Sequence, residues 1–214
     1  SLRNLFPKVN LKAFTAVEIC HFAKKSNTTP EQILSVLKQA GLDALPGGGA
    51  EILVQSVRDK ICGKKETGKE WLSVHNAAHQ LGIPTNATML FGHIESPEHR
   101  IAHMEMLRDL QDKSPGFFAF IPLVYLPQRN DLNRIVPERT PEEDILRTIA
   151  VARLFLDNFP HIKAYWIQMG IDTAMKALHA GASDLDGTII EEKISHAAGA
   201  NAPIGLTPQR MKEL

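Results

Sequence analysis

The chain has 214 residues, 43% of them hydrophobic and 22% charged, with 24 Lys+Arg against 24 Asp+Glu. A balanced charge gives no electrostatic reason for nucleic acid or an anionic membrane as the main partner. Apolar runs such as 117–126 fall well short of the roughly 20 residues needed to cross a bilayer. With no charged-then-apolar leader at the start, the composition is that of a soluble, cytoplasmic protein. Cys20 and Cys62 are the only cysteines, too few for a disulfide framework or a zinc site.

Short apolar runs alternate with longer amphipathic ones, the pattern of βα units on a parallel sheet. In chain order the predicted strands are 9–15, 42–47, 84–91, 117–123, 162–168 and 184–189. Helices are predicted over 29–41, 51–61, 68–82, 96–113, 140–158 and 172–181, each with apolar residues at three- and four-residue spacing. Thr29 is a natural N-cap, Pro30 suits the first turn and Gly41 the stop. The irregular segment 125–137 follows a strand, where functional loops of parallel α/β proteins sit. With no linker or repeat, residues 1–214 read as one domain.

Six such units fit an open doubly wound sheet or most of a (β/α) barrel, which typically needs eight strands and about 250 residues. SLRNLFPKV reads as the end of a helix already under way, so an earlier natural start is expected.

Chemistry in these folds gathers at the carboxyl ends of strands. Those ends carry Thr15 and Glu18, then Gly48 and Glu51, then His93 and Glu95. Tyr125, Gln128, Arg129 and Asn130 follow the fourth strand, Trp166 and Gln168 the fifth, and Asp184, Asp186 and Thr188 the sixth. Asn86, Thr88 and Met89 lie inside the third strand. The three glycines at 47–49 also suit a tight turn, and they lack the Lys and Ser/Thr of a P-loop. Glu51 also suits a helix start, and Asp184 and Asp186 suit caps. The pairs His75/His79 and His99/His103 share helix faces but lack the glutamate of H-E-x-x-H, so they read as packing or surface histidines.

KAFTAVEI (12–19), GLDALPGGGAEIL (41–53), GIPTNATMLFGHIESPEHR (82–100), LRDLQDKSPGFFAFIPL (107–123), LDNFPHIKAYW (156–166) and SDLDGTIIEEKISHAAGA (183–200) resemble the aminofutalosine synthases. These are radical S-adenosylmethionine transferases of the futalosine route to menaquinone. Cyclic dehypoxanthine futalosine synthase and the deazaflavin-precursor (FO) synthase are sister families, and HIKAYW and DLDGT sit closer to the aminofutalosine enzymes. A non-catalytic binding protein is the reading outside enzymology.

The resemblance implies a partial TIM-type (β/α)8 barrel of the radical S-adenosylmethionine kind, with about six βα units present, and a 4Fe-4S cluster. It implies addition of a 5′-deoxyadenosyl radical to 3-[(1-carboxyvinyl)oxy]benzoate, with decarboxylation to aminofutalosine. On the same basis Thr15, Glu18, Gly48, Glu51, Asn86, Thr88 and Met89 would bind S-adenosylmethionine. His93 would be catalytic, and Glu95, Arg129, Asp184, Asp186 and Thr188 would meet the substrate. The three clustered cysteines of the family have no counterpart here, so no metal ligand is assigned to this chain. The expectation is a chain without its first two βα units, unable alone to cleave S-adenosylmethionine. Open sheet edges would favour a homo-oligomer.

Overall fold

Threonine hydroxyls start most of the early helices of the computed structural model, which describes residues 2–190 and 192–214. After the short α1 (Leu2–Leu5) come α2 (Ala16–Ser26), α3 (Pro30–Gln39), α4 (Gln55–Cys62) and α5 (Gly68–Gln80). Thr15, Thr29 and Thr67 close capping boxes with Glu18, Gln32 and Glu70, each cap contributing about 1 kcal/mol. β1 (Thr85–Phe91), α6 (Pro97–Lys113), β2 (Phe117–Val124), α7 (Glu142–Phe155) and β3 (His161–Ile162) then form two βαβ units. The short α8 (Trp166–Met169), α9 (Ile171–His179), α10 (Ile194–Ala197) and α11 (Pro208–Glu213) complete the chain.

The three strands pair in parallel in the order β1-β2-β3. Single parallel bridges, Lys12 to Ala44, Leu45 to Thr85 and Lys163 to Asp184, continue the arrangement on both sides. All six predicted strands therefore lie side by side in chain order, and the α/β class stands. Their predicted extents do not all hold, because only β1 and β2 run as long strands among the described residues.

Segment 9–15 contributes a single bridge, and α2, which was not predicted, starts at once behind Phe14 at φ 64°. The helix predicted from residue 51 begins at Gln55, since Glu51 turns the chain at φ 42°. Segment 162–168 leaves the sheet early and coils into α8. There the Trp166 indole N–H donates to the Gly187 carbonyl at 3.0 Å. An apolar run buried on both faces fits a helical turn as well as a strand, and tertiary contacts decide.

The core lies between sheet and helices, with Trp71, Phe91, Phe117, Phe120 and Trp166 buried. Three of the paired histidines are buried against it. His75 stacks on Trp71 with ring centroids 3.7 Å apart. His79 donates from Nδ1 to the Ser114 carbonyl at 2.7 Å, and its Nε2 accepts from Thr85 at 2.9 Å. His103 Nδ1 accepts the Leu53 N–H at 3.0 Å. Burial depresses the pKa of all three, that of His103 to about 3. Among the described residues no helix is long and apolar enough to cross a membrane.

Candidate active site at the strand ends

β1 ends in a loop that closes on itself. Gly92 turns at φ 87°, and a side chain there would run into Thr140. The N–H groups of Gly92 and His93 donate to the Glu95 carboxylate at 2.6 and 2.8 Å. Arg100 adds its Nε at 2.8 Å, grips both oxygens of Asp144 at 3.0 and 2.9 Å, and lies over the Phe91 ring. Glu95 is thus a fully buried, fully paired carboxylate that ties the loop to α6 and α7.

His93 is built into the same loop. Its Nδ1 accepts the Ile94 N–H at 2.8 Å, so the proton sits on Nε2, which donates to the Leu90 carbonyl at 3.0 Å. Burial lowers its pKa, against the opposing pull of Glu95, whose Oε2 stands 3.0 Å from Nδ1.

Thr15 and Glu18 spend their polar atoms on the capping box, with the Thr15 N–H 2.8 Å from Glu18 Oε2. Gly48 packs on them: a Cβ there would stand 2.9 Å from the Thr15 methyl, and its carbonyl accepts the Trp71 indole N–H at 3.2 Å. Thr88 donates to the Gly47 carbonyl at 2.6 Å, joining the glycine turn to β1. Thr15, Gly48 and Thr88 are therefore brought together. Glu51 pairs with Lys65 and lies near enough to His93 to act on its charge.

Other residues lie elsewhere. Met89 is wholly buried in the core. Asn86 lines a cleft with Asn10, Lys12 and Phe118 at the amino ends of the strands, opposite the mouth. Asp186 binds Lys163 at 2.6 Å, and Asp184 stands 3.4 Å from the same ammonium. Burial works against the Lys163 charge, but the Asp186 and Asp184 carboxylates outweigh it and raise its pKa. Thr188 is held through its carbonyl, which accepts the Leu206 N–H at 3.0 Å.

At the carboxyl ends of β1 and β2 a cavity of about 380 Å³ opens, walled by Leu90, Val124, Tyr125, Leu126, Gln168 and Ser195. Gln168 donates to Ser195 at 3.3 Å, while its buried Oε1 has no partner among the described residues. A second hollow of about 540 Å³ adjoins it through Asn130 and Asp131 and holds Arg129 and Arg134. Sequence reasoning marked Tyr125, Arg129 and Gln168 by their place after strands. It missed Arg134 and Ser195, which follow no strand directly; only the polar run of 125–137 could have pointed to Arg134.

The chain's cysteines do not fit an iron–sulfur cluster, which takes thiolates. Burial, with Glu66 and Glu70 nearby, pushes the Cys20 thiol up to about 11, and burial raises that of Cys62 as well. No group of three or more His, Cys, Asp or Glu suited to a metal occurs among the described residues.

Residues 114–212 match the family model described as the CofH/MqnC C-terminal region. The chain is 50% identical over 216 residues to the aminodeoxyfutalosine synthase of Thermus thermophilus, covering 100% of this chain and 58% of that one. Its identity to the aminodeoxyfutalosine synthase of Streptomyces coelicolor is 44% over 209 residues, 92% of this chain and 54% of the relative. A 5-amino-6-(D-ribitylamino)uracil–L-tyrosine 4-hydroxyphenyl transferase of Archaeoglobus fulgidus is 40% identical over 217 residues, 100% of this chain and 62% of the relative. The chain thus spans between 54% and 62% of the length of these relatives. The resemblance read from the sequence is borne out.

Proposed function

We propose that this chain, a relative of the CofH/MqnC enzymes over residues 114–212, works as an aminodeoxyfutalosine synthase, a radical S-adenosylmethionine transferase of menaquinone biosynthesis. The observation that carries this reading is the 50% identity along the whole chain to one such synthase, against 40% to the tyrosine-using transferase.

In this reading the parallel segments are part of a (β/α)8 barrel in one cytoplasmic domain, and the ligands sit at the carboxyl ends of its strands. S-adenosylmethionine supplies the adenosyl group, and the protein's share is orientation and exclusion of water. The apolar walls Leu90, Val124 and Leu126 suit an aromatic ring, and the guanidinium of Arg129, without a side-chain partner among the described residues, suits its carboxylate. The turn built from Thr15, Gly48, Glu51 and Thr88 gives the adenosyl side a rigid wall, while Asp184 and Asp186 are tied to Lys163 apart from it. Because Glu95 and both ring nitrogens of His93 are paired within their loop, that pair positions the mouth and leaves direct contact to the free groups. No step is assigned to the cluster, which these cysteines do not fit. The exposed Leu2, Leu5, Phe6 and Val9 favour a second copy as partner.

The test is a chimera in which this chain replaces the aligned region of the Thermus relative. Given S-adenosylmethionine and the carboxyvinyloxy-benzoate, it should form aminodeoxyfutalosine. Reaction with tyrosine and the ribitylaminouracil instead would overturn the reading.

A further inference from the structure

The loop after β2 is held rigid by its own side chains. Asn130 donates from Nδ2 to the Leu126 carbonyl at 2.9 Å and to that of Gln128 at 3.2 Å, and its Oδ1 accepts the Tyr125 hydroxyl at 2.8 Å. Asn133 donates to the Pro127 carbonyl at 2.7 Å. The Gln128 N–H reaches the Ala198 carbonyl at 3.1 Å, anchoring the loop to the segment after α10. The amides are thus spent on the backbone, while Arg129 and Arg134, exposed in the same hollow, have no side-chain partner among the described residues. Arg129 sits at φ 56°, a left-handed conformation that an arginine holds only where its surroundings impose it.

Two guanidiniums face this hollow against the single carboxylate of Asp131. The hollow meets the apolar cavity through Asn130 and Asp131, so an aromatic ring in the cavity would present its acidic groups to the arginines. We propose that Arg134 is a specificity residue that joins Arg129 to bind the second carboxylate of an aromatic dicarboxylate. The fork of a guanidinium matches a carboxylate bidentately, and one such fork per carboxylate selects a dianion over a monoanion. This inference rests on the synthase reading for its substrate class.

The experiment titrates the protein calorimetrically with isophthalate, a benzene ring bearing two carboxylates, and with benzoate, which bears one. The protein should bind isophthalate more tightly by roughly 10- to 100-fold. Arg134→Gln should bring the two affinities together while leaving that for benzoate in place, Arg129→Gln should weaken both, and Arg134→Lys should restore part of the preference. Both arginines are exposed, so unchanged unfolding midpoints check the fold. An unchanged isophthalate-to-benzoate ratio in Arg134→Gln, or no dianion preference in the protein itself, would overturn the inference. A chimera that makes aminodeoxyfutalosine with that ratio unchanged would sink this inference alone. A preference abolished by Arg134→Gln in a protein whose chimera makes no such product would sink the synthase reading alone.

Discussion

Glu95 and Arg100 meet 2.8 Å apart behind β1, the carboxylate fully buried and the guanidinium nearly so. Removing Glu95 takes the acceptor from the Gly92 and His93 N–H groups and from Arg100 Nε, while Arg100 keeps Asp144; leaving such buried donors unsatisfied typically costs about 1–3 kcal/mol. Glu95→Ala should therefore lower stability by about that amount in urea unfolding. Glu143→Ala, which breaks an exposed pair with Arg147, should change it by less than about 1 kcal/mol. Equal effects of the two would show that Glu95 is no keystone of the loop.

Buried histidines give the fold an acid limit. His103 has a folded pKa of about 3 against 6.5 for the ordinary group, so below pH 6.5 the unfolded chain binds the extra proton. Stability is then fully present above pH 6.5 and falls as pH drops toward 3. Such a histidine costs about 2 kcal/mol between pH 6.5 and 5. His75, whose ring nitrogens have no partner among the described residues, shifts the same way. His75→Phe fits between Trp71 and Phe117 and gives up no hydrogen bond. It should keep neutral-pH stability and flatten the loss between pH 7 and 5, and an unaltered slope in paired urea titrations would count against this account.

The six parallel segments were legible because apolar runs alternate with amphipathic ones, and β1 and β2 matched to within a residue, while their side-by-side order came from the pairing. Segment 162–168 misled because alternation says nothing once both faces are buried, and the Trp166–Gly187 bond decided for a helical turn. At the site, strand-end position found Arg129 and Gln168. It could not tell that Thr15, Glu18 and Glu95 bind their own neighbours, since pairing depends on where the chain turns. Arg134 stayed hidden because a loop's shape, here set by Asn130 and Asn133, has no period to read.

The glycine turn should show measurable coupling to α2. Gly48→Ala places a methyl 2.9 Å from the Thr15 Cγ2 and forces strain on a packed wall, typically about 1–3 kcal/mol. Thr15→Ser removes that methyl and keeps the capping hydroxyl. The double variant should recover most of the loss, a coupling of at least about 1 kcal/mol in a double-mutant cycle. Additive losses would mean that the glycine is there for some reason other than Thr15.

Cys20 and Cys62 offer the last test. Their thiols are raised, Cys20 lines a groove between α2 and α5, and Cys62 ends α4 beside Glu51 and Lys65. Cluster assembly needs three or four thiolates converging on one point, which these two cannot supply. Anaerobic reconstitution of the 214-residue chain with iron and sulfide should leave no bound cluster after desalting, and S-adenosylmethionine should yield no 5′-deoxyadenosine. The double variant Cys20→Ala/Cys62→Ala should behave identically in iron analysis. Stoichiometric iron lost in that variant would show that these thiols do hold the metal.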